Sequence, residues 1–111
     1  MRAIVLILIS LFTYTVAIAQ PNVDTFHLYF DLNVPTLNKN IERKIDLLIF
    51  NDKIISGSKI SIIGYADFLG TEQYNKELSL QRAVNTKAYL VKYGLNAADI
   101  MTCVGKGEVR A

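Results

Sequence analysis

Two residues of opposite charge hold the chemistry this chain can do. Asp67 follows the run Lys59-Ile60-Ser61-Ile62-Ile63-Gly64-Tyr65-Ala66, and Arg82 stands 15 residues later in Asn75-x-x-Leu78-Ser79-x-x-Arg82-Ala83. A carboxylate accepts hydrogen bonds from an ammonium group, and a guanidinium fork pairs bidentately with a carboxylate. Held apart by a rigid loop, the two suit a zwitterion such as an amino-acid head group. The same residues also have a purely structural use. Asp67 can accept from backbone N–H groups of its own loop, and Arg82 can close a salt bridge with it. Paired charges often serve structure, so the residues alone leave both readings open.

Little else in the chain points to chemistry. There is one His and one Cys among 111 residues. A four-ligand Cys/His zinc centre and an internal disulfide are therefore excluded, and no metal or cofactor is expected. His27 lies on the polar face of an alternating run and reads as a solvated strand residue. Cys103, between Met101-Thr102 and Val104, reads as a small buried hydrophobe. The chain has no H-E-x-x-H, no nucleophile elbow and no convincing Cys–His pair. Asp31 and Asp67 cannot be placed at one scissile bond. No catalytic residue is assigned, and the expectation is a protein without enzymatic activity. The formal net charge of +2 gives no reason to expect nucleic acid as a partner.

The elements that must position Asp67 and Arg82 begin after a leader. Met1-Arg2, an apolar stretch over 3–12 and Ala17-Ile18-Ala19 follow the order of a cleavable secretory signal peptide, with cleavage expected after Ala19. Retention of the leader as a membrane anchor is the alternative. Removing 19 of 111 residues leaves 92, with 11 basic against 10 acidic side chains, enough for one modest core. Residues 20–25 are a short lead-in. Phe26, Leu28 and Phe30 alternate and predict a first strand. Thr36 is expected to cap a helix carrying Leu37, Ile41, Ile45 and Leu48 and fading near Asn51-Asp52. Ser56-Gly57-Ser58 marks a loop. The isoleucine-rich run 59–65 predicts a second strand buried on more than one face. Thr71 is expected to cap a long helix with a stripe of Leu80, Val84, Ala88 and Val91, broadened by Leu78, Ala83 and Leu90. Gly94 should stop it, and 98–105 predicts a third strand. The order β-α-β-α-β implies an α/β two-layer sandwich, with helices on one largely parallel sheet.

The stretch 64–83 resembles the OmpA-like peptidoglycan-binding domain, found in outer-membrane proteins, peptidoglycan-associated lipoproteins and flagellar stator proteins. The family commonly shows Gly-His-Thr-Asp, a Gly, then Asn-x-x-Leu-Ser-x-x-Arg-Ala. Gly64, Asp67, Gly70, Asn75, Leu78, Ser79, Arg82 and Ala83 match in register. Tyr29-Phe30-Asp31 and Gly105-x-Gly107-Glu108 extend the similarity over 26–108. The resemblance implies non-catalytic binding of peptidoglycan, through the diaminopimelate residue of its stem peptide. Asp67 and Arg82 would hold that residue's amino and carboxylate groups, and Asn75 would support the loop or the ligand. Gly64, Tyr65, Gly70 and Ser79 would support the site. The protein would then lie in the periplasm, in association with the outer membrane or another envelope protein, and would anchor or organise the envelope. Two positions depart from the pattern. Tyr65-Ala66 replaces His-Thr, with Tyr65 offering a different hydroxyl. The family's closing Asn-Arg-Arg-Val strand is not found before Ala111, so the domain over 26–111 is expected to lack its final strand. That gap motivates a second expectation, a structural or assembly fragment without wall binding, completed by a partner chain.

Overall fold

The computed structural model describes residues 24–55, 57–66 and 70–108. The leader, its expected cleavage point and most of the lead-in lie outside these residues, as does Asp67. Four main elements follow: α1 (Lys39–Phe50), β1 (Ile60–Ala66), α2 (Glu72–Lys92) and β2 (Ile100–Glu108), the last preceded by a 3-10 turn at Ala97–Asp99. β1 and β2 pair in parallel, and α2 is the crossover between them, packed on both strands. This is the α/β class expected, with helices against one sheet.

Both helices end as their sequences dictate. The Asn51-Asp52 pair closes α1: Asp52 takes a φ of 58°, and its N–H and that of Lys53 donate to Ile49 and Leu48 carbonyls. α2 closes the same way on Gly94, at φ 110°, with Gly94 N–H donating to Val91 and Leu95 N–H to Leu90. This paired pattern satisfies carbonyls that a helix end would otherwise orphan. It also carries Leu95 back onto Leu90. Those two join Ile41 and Ile45 of α1 in the core, with Leu28, Phe30, Leu37, Ile60 and Ile62 packed around them. Thr71 caps α2 as expected, accepting from Tyr74 N–H at 3.0 Å. The cap of α1 is not Thr36 but Asn38, whose Oδ1 accepts from Ile41 N–H at 2.8 Å.

Three further expectations are corrected. Residues 26–31 form no strand; among the described residues the sheet has two strands. Of the three side chains the alternation placed on one face, Leu28 and Phe30 pack on the core, whereas Phe26 is exposed. Alternation does not supply a strand edge to pair with. Second, β1 is not buried on both faces: Ile60 and Ile62 pack on the core, whereas Ile63 is 44% exposed. Third, α2 buries only the broadening residues of its expected stripe, Leu78, Ala83 and Leu90, and not the line at its centre. Leu80, Val84 and Val91 are exposed, and the face against the sheet is Asn75, Leu78, Ser79, Arg82, Ala83, Thr86 and Leu90. The reason is the separation between layers. Gly64 and Gly105 are register partners, and a Cβ on either would run into the α2 backbone at Ser79 or Leu80. So close an approach leaves room only for small or polar side chains at that crossing.

Candidate functional site

Arg82 lies in the middle of this close-packed helix face, 6% exposed. Its Nε donates to the Val34 carbonyl at 2.9 Å, Nη1 to the Tyr65 carbonyl at 3.0 Å and Nη2 to the Asp31 carbonyl at 2.8 Å. The Phe30 ring lies under the guanidinium, 5.2 Å from its carbon to the ring centroid. Three of the five guanidinium N–H groups therefore fix its plane.

These bonds join two segments far apart in sequence. The turn at 31–34, closed by Val34 N–H on the Asp31 carbonyl, is held to α2 by Arg82, and Asn85 Nδ2 holds the next carbonyl, Pro35, at 2.8 Å. Tyr65 is the penultimate residue of β1. Asp67 follows Ala66, the last residue of that strand, so the chain enters the Asp67 position from a point the guanidinium grips directly. The turn carbonyls of Asp31 and Val34 were invisible to sequence reasoning. A turn signal was present in Asp31-Leu32-Asn33, where Asn33 takes a φ of 59°, but no pattern names a carbonyl as an arginine partner.

The remaining expected residues take separate places. Asn75 is 1% exposed, and among the described residues neither Oδ1 nor Nδ2 has a hydrogen-bond partner. It sits beneath Gly70, where a Cβ would come within 3.5 Å of Oδ1; Gly70 itself has a φ of 94°. An unsatisfied buried amide costs about 1–3 kcal/mol. Ser79 is fully buried: Oγ donates to the Lys76 carbonyl and accepts from Gly107 N–H, both at 2.8 Å. Gly107 lies at φ 77° beside a break in strand register, a bulge that turns its N–H toward the helix. Ser79 and Gly64 thus set the distance and register of α2 on the sheet. Tyr65 contributes its carbonyl, while its side chain, 45% exposed, alternates away from the buried Gly64 and Ala66. A shallow cleft of about 400 Å³ lies elsewhere, between the first turns of α2 and the end of β2, lined by Glu72, Gln73, Lys76, Lys106, Gly107 and Glu108. It holds neither Arg82 nor Asn75.

No group of three or more His, Cys, Asp or Glu among the described residues is placed to hold a metal ion. No helix among them is long and apolar enough to cross a membrane.

Fold and site define an α/β module in which a helix arginine is locked against the end of a neighbouring strand. The chain belongs to the OmpA family, which it matches over residues 29–111. It is 38% identical over 88 residues to outer membrane protein A of Bordetella avium, covering 79% of this chain and 43% of that protein. The chain thus spans less than half the length of that relative. Among solved structures, the peptidoglycan-associated lipoprotein from Burkholderia pseudomallei shares the fold with a TM-score of 0.56 at 24% identity, over 72% of this chain and 67% of that one. The OmpA-like domain of FopA1 from Francisella tularensis subsp. tularensis SCHU S4 gives 0.56 at 26% identity, over 70% and 53%.

Proposed function

We propose that this chain is a non-catalytic module that holds peptidoglycan through the diaminopimelate residue of the stem peptide and so ties the bacterial envelope to its wall. The observation that carries the reading is Arg82, buried and held in one orientation at the C-terminal end of β1, where Asp67 follows. The guanidinium would face the carboxylate of the diaminopimelate side chain, and the Asp67 carboxylate its ammonium group. Both charges of one amino-acid head would be matched without any group moving a proton. Membership of the OmpA family and the fold shared with a peptidoglycan-associated lipoprotein support the same reading. Export into the periplasm, by way of the leader, is part of the proposal.

The test is calorimetric titration of the exported chain with a stem tripeptide ending in diaminopimelate, beside the same peptide ending in lysine. Lysine keeps the ammonium group and lacks the carboxylate. Binding at least tenfold tighter for the diaminopimelate peptide is expected. Equal affinity for both would remove Arg82 from recognition and overturn the reading.

A further inference from the structure

We propose that two copies of this chain associate through the outer face of α2, antiparallel, about a two-fold axis at Val84. Leu80, Val84, Ala88 and Val91 recur at spacings of four, four and three, which places them in one stripe along a helix. The sheet does not cover that stripe: Leu80 is 45%, Val84 47% and Val91 38% exposed. The side chains packed on the sheet occupy the opposite arc of the helix.

The pattern along the stripe is self-complementary in one direction. Reversing a second helix about Val84 sets Leu80 against the partner's Ala88, a large side chain against a small one, since each lies four residues from the axis. Glu77 lies seven residues before Val84 and Lys92 eight after it. In the antiparallel pair each Glu77 lies level with the partner's Val91, also seven residues from the axis, and about one residue rise, roughly 1.5 Å, from the partner's Lys92. Glu77 sits on the stripe line and Lys92 at its edge on the same side, so each carboxylate reaches past the partner's Val91 to its Lys92 ammonium group at both ends. A parallel pair would set Glu77 against Glu77 and Lys92 against Lys92. The ion pairs add little affinity but select the direction. A closed two-fold arrangement also uses the same patch on both copies and cannot propagate. One helix face buries less than the roughly 1,000 Å² a stable interface needs, so the pairing is weak and becomes populated where copies are crowded together.

Cross-linking in the envelope of cells exporting the whole chain tests this, with Cys103→Ser as background and a short bis-maleimide as the probe. Val84→Cys should link to itself. Glu77→Cys alone should not, because its two copies lie about 21 Å apart along the axis. Glu77→Cys co-expressed with Lys92→Cys should link. Adding Leu80→Glu to Val84→Cys should reduce the linked fraction at least fivefold, with an unchanged far-ultraviolet dichroism spectrum for the purified chain. No product from Val84→Cys overturns the proposal. So does a ladder in which Glu77→Cys self-links as well as Val84→Cys, which would mean parallel or random contact.

Discussion

Arg82 carries two duties that a lysine cannot share. A lysine keeps the charge but lacks the fork that reaches three carbonyls on two segments. Arg82→Lys is therefore expected to lower unfolding free energy by about 3 kcal/mol, measured by urea denaturation, with the slope unchanged. Asn75 gives the opposite expectation. Among the described residues its buried amide has no hydrogen-bond partner, so it is expected to cost the folded chain stability rather than add to it. Asn75→Leu, which keeps the heavy-atom branching and replaces the amide with methyl groups, should leave the urea midpoint equal or higher, while a role in supporting the loop or ligand predicts weaker wall binding by the same variant. A lower midpoint would mean that the amide is satisfied in solution. Gly64 was legible in the sequence as part of a motif, yet its reason was not. What forbids a side chain there is the Ser79 backbone on the far side of the crossover. Gly64→Ala should cost about 1–3 kcal/mol, readable as a lowered thermal midpoint.

At the scale of elements, local rules were legible and shared surfaces were not. Thr71, Asn51-Asp52 and Gly94 announce helix ends through capping chemistry confined to a few residues, and each does so in the structure. The buried face of α2 depends on how close the sheet comes, which Gly64 and Gly105 decide from outside the helix. Apolar periodicity chose Leu80, Val84 and Val91 together with Leu78, Ala83 and Leu90; the layer spacing kept only the last three and added Asn75, Ser79, Arg82 and Thr86. The 26–31 segment makes the same point, since its core-facing side chains were readable and its lack of a strand partner was not. For Asp67 and Arg82, the sequence supplied identity and spacing, and the structure added the carbonyl cradle around Arg82. One ion pair fixes the start of the sheet: Lys59 Nζ lies 2.8 Å from Asp99 Oδ1, beside the Ile60–Ile100 pairing. The hydrogen bond from Lys59 holds the Asp99 carboxyl below its ordinary range. A carboxylate with a lowered folded pKa adds stability above its unfolded value, near 4, and loses it as the pH falls through the folded value. Asp99→Asn should thus melt below the parent at pH 7, with the gap closing below about pH 4. A gap of equal size at pH 3 and pH 7 would show that charge is not its source.

Over the whole molecule, one close-packed crossover serves two ends. It presses α2 on the sheet through Gly64, Ser79 and Gly105, and it brings Arg82 to the strand end from which Asp67 departs. On the proposed reading the Arg82 side of the site is already ordered before ligand arrives, which keeps its share of the ordering cost on association small. The apolar outer stripe of α2 is left over from that arrangement and gives the molecule a second surface. The most direct measurement is co-sedimentation of the exported chain with insoluble peptidoglycan, beside Asp67→Asn, which keeps the side-chain shape and removes the charge. Circular dichroism on both samples establishes that they are folded. The account predicts that the parent pellets with the wall and that folded Asp67→Asn stays in the supernatant. A folded parent that stays in solution, or an Asp67→Asn chain that pellets as well as the parent, would contradict it.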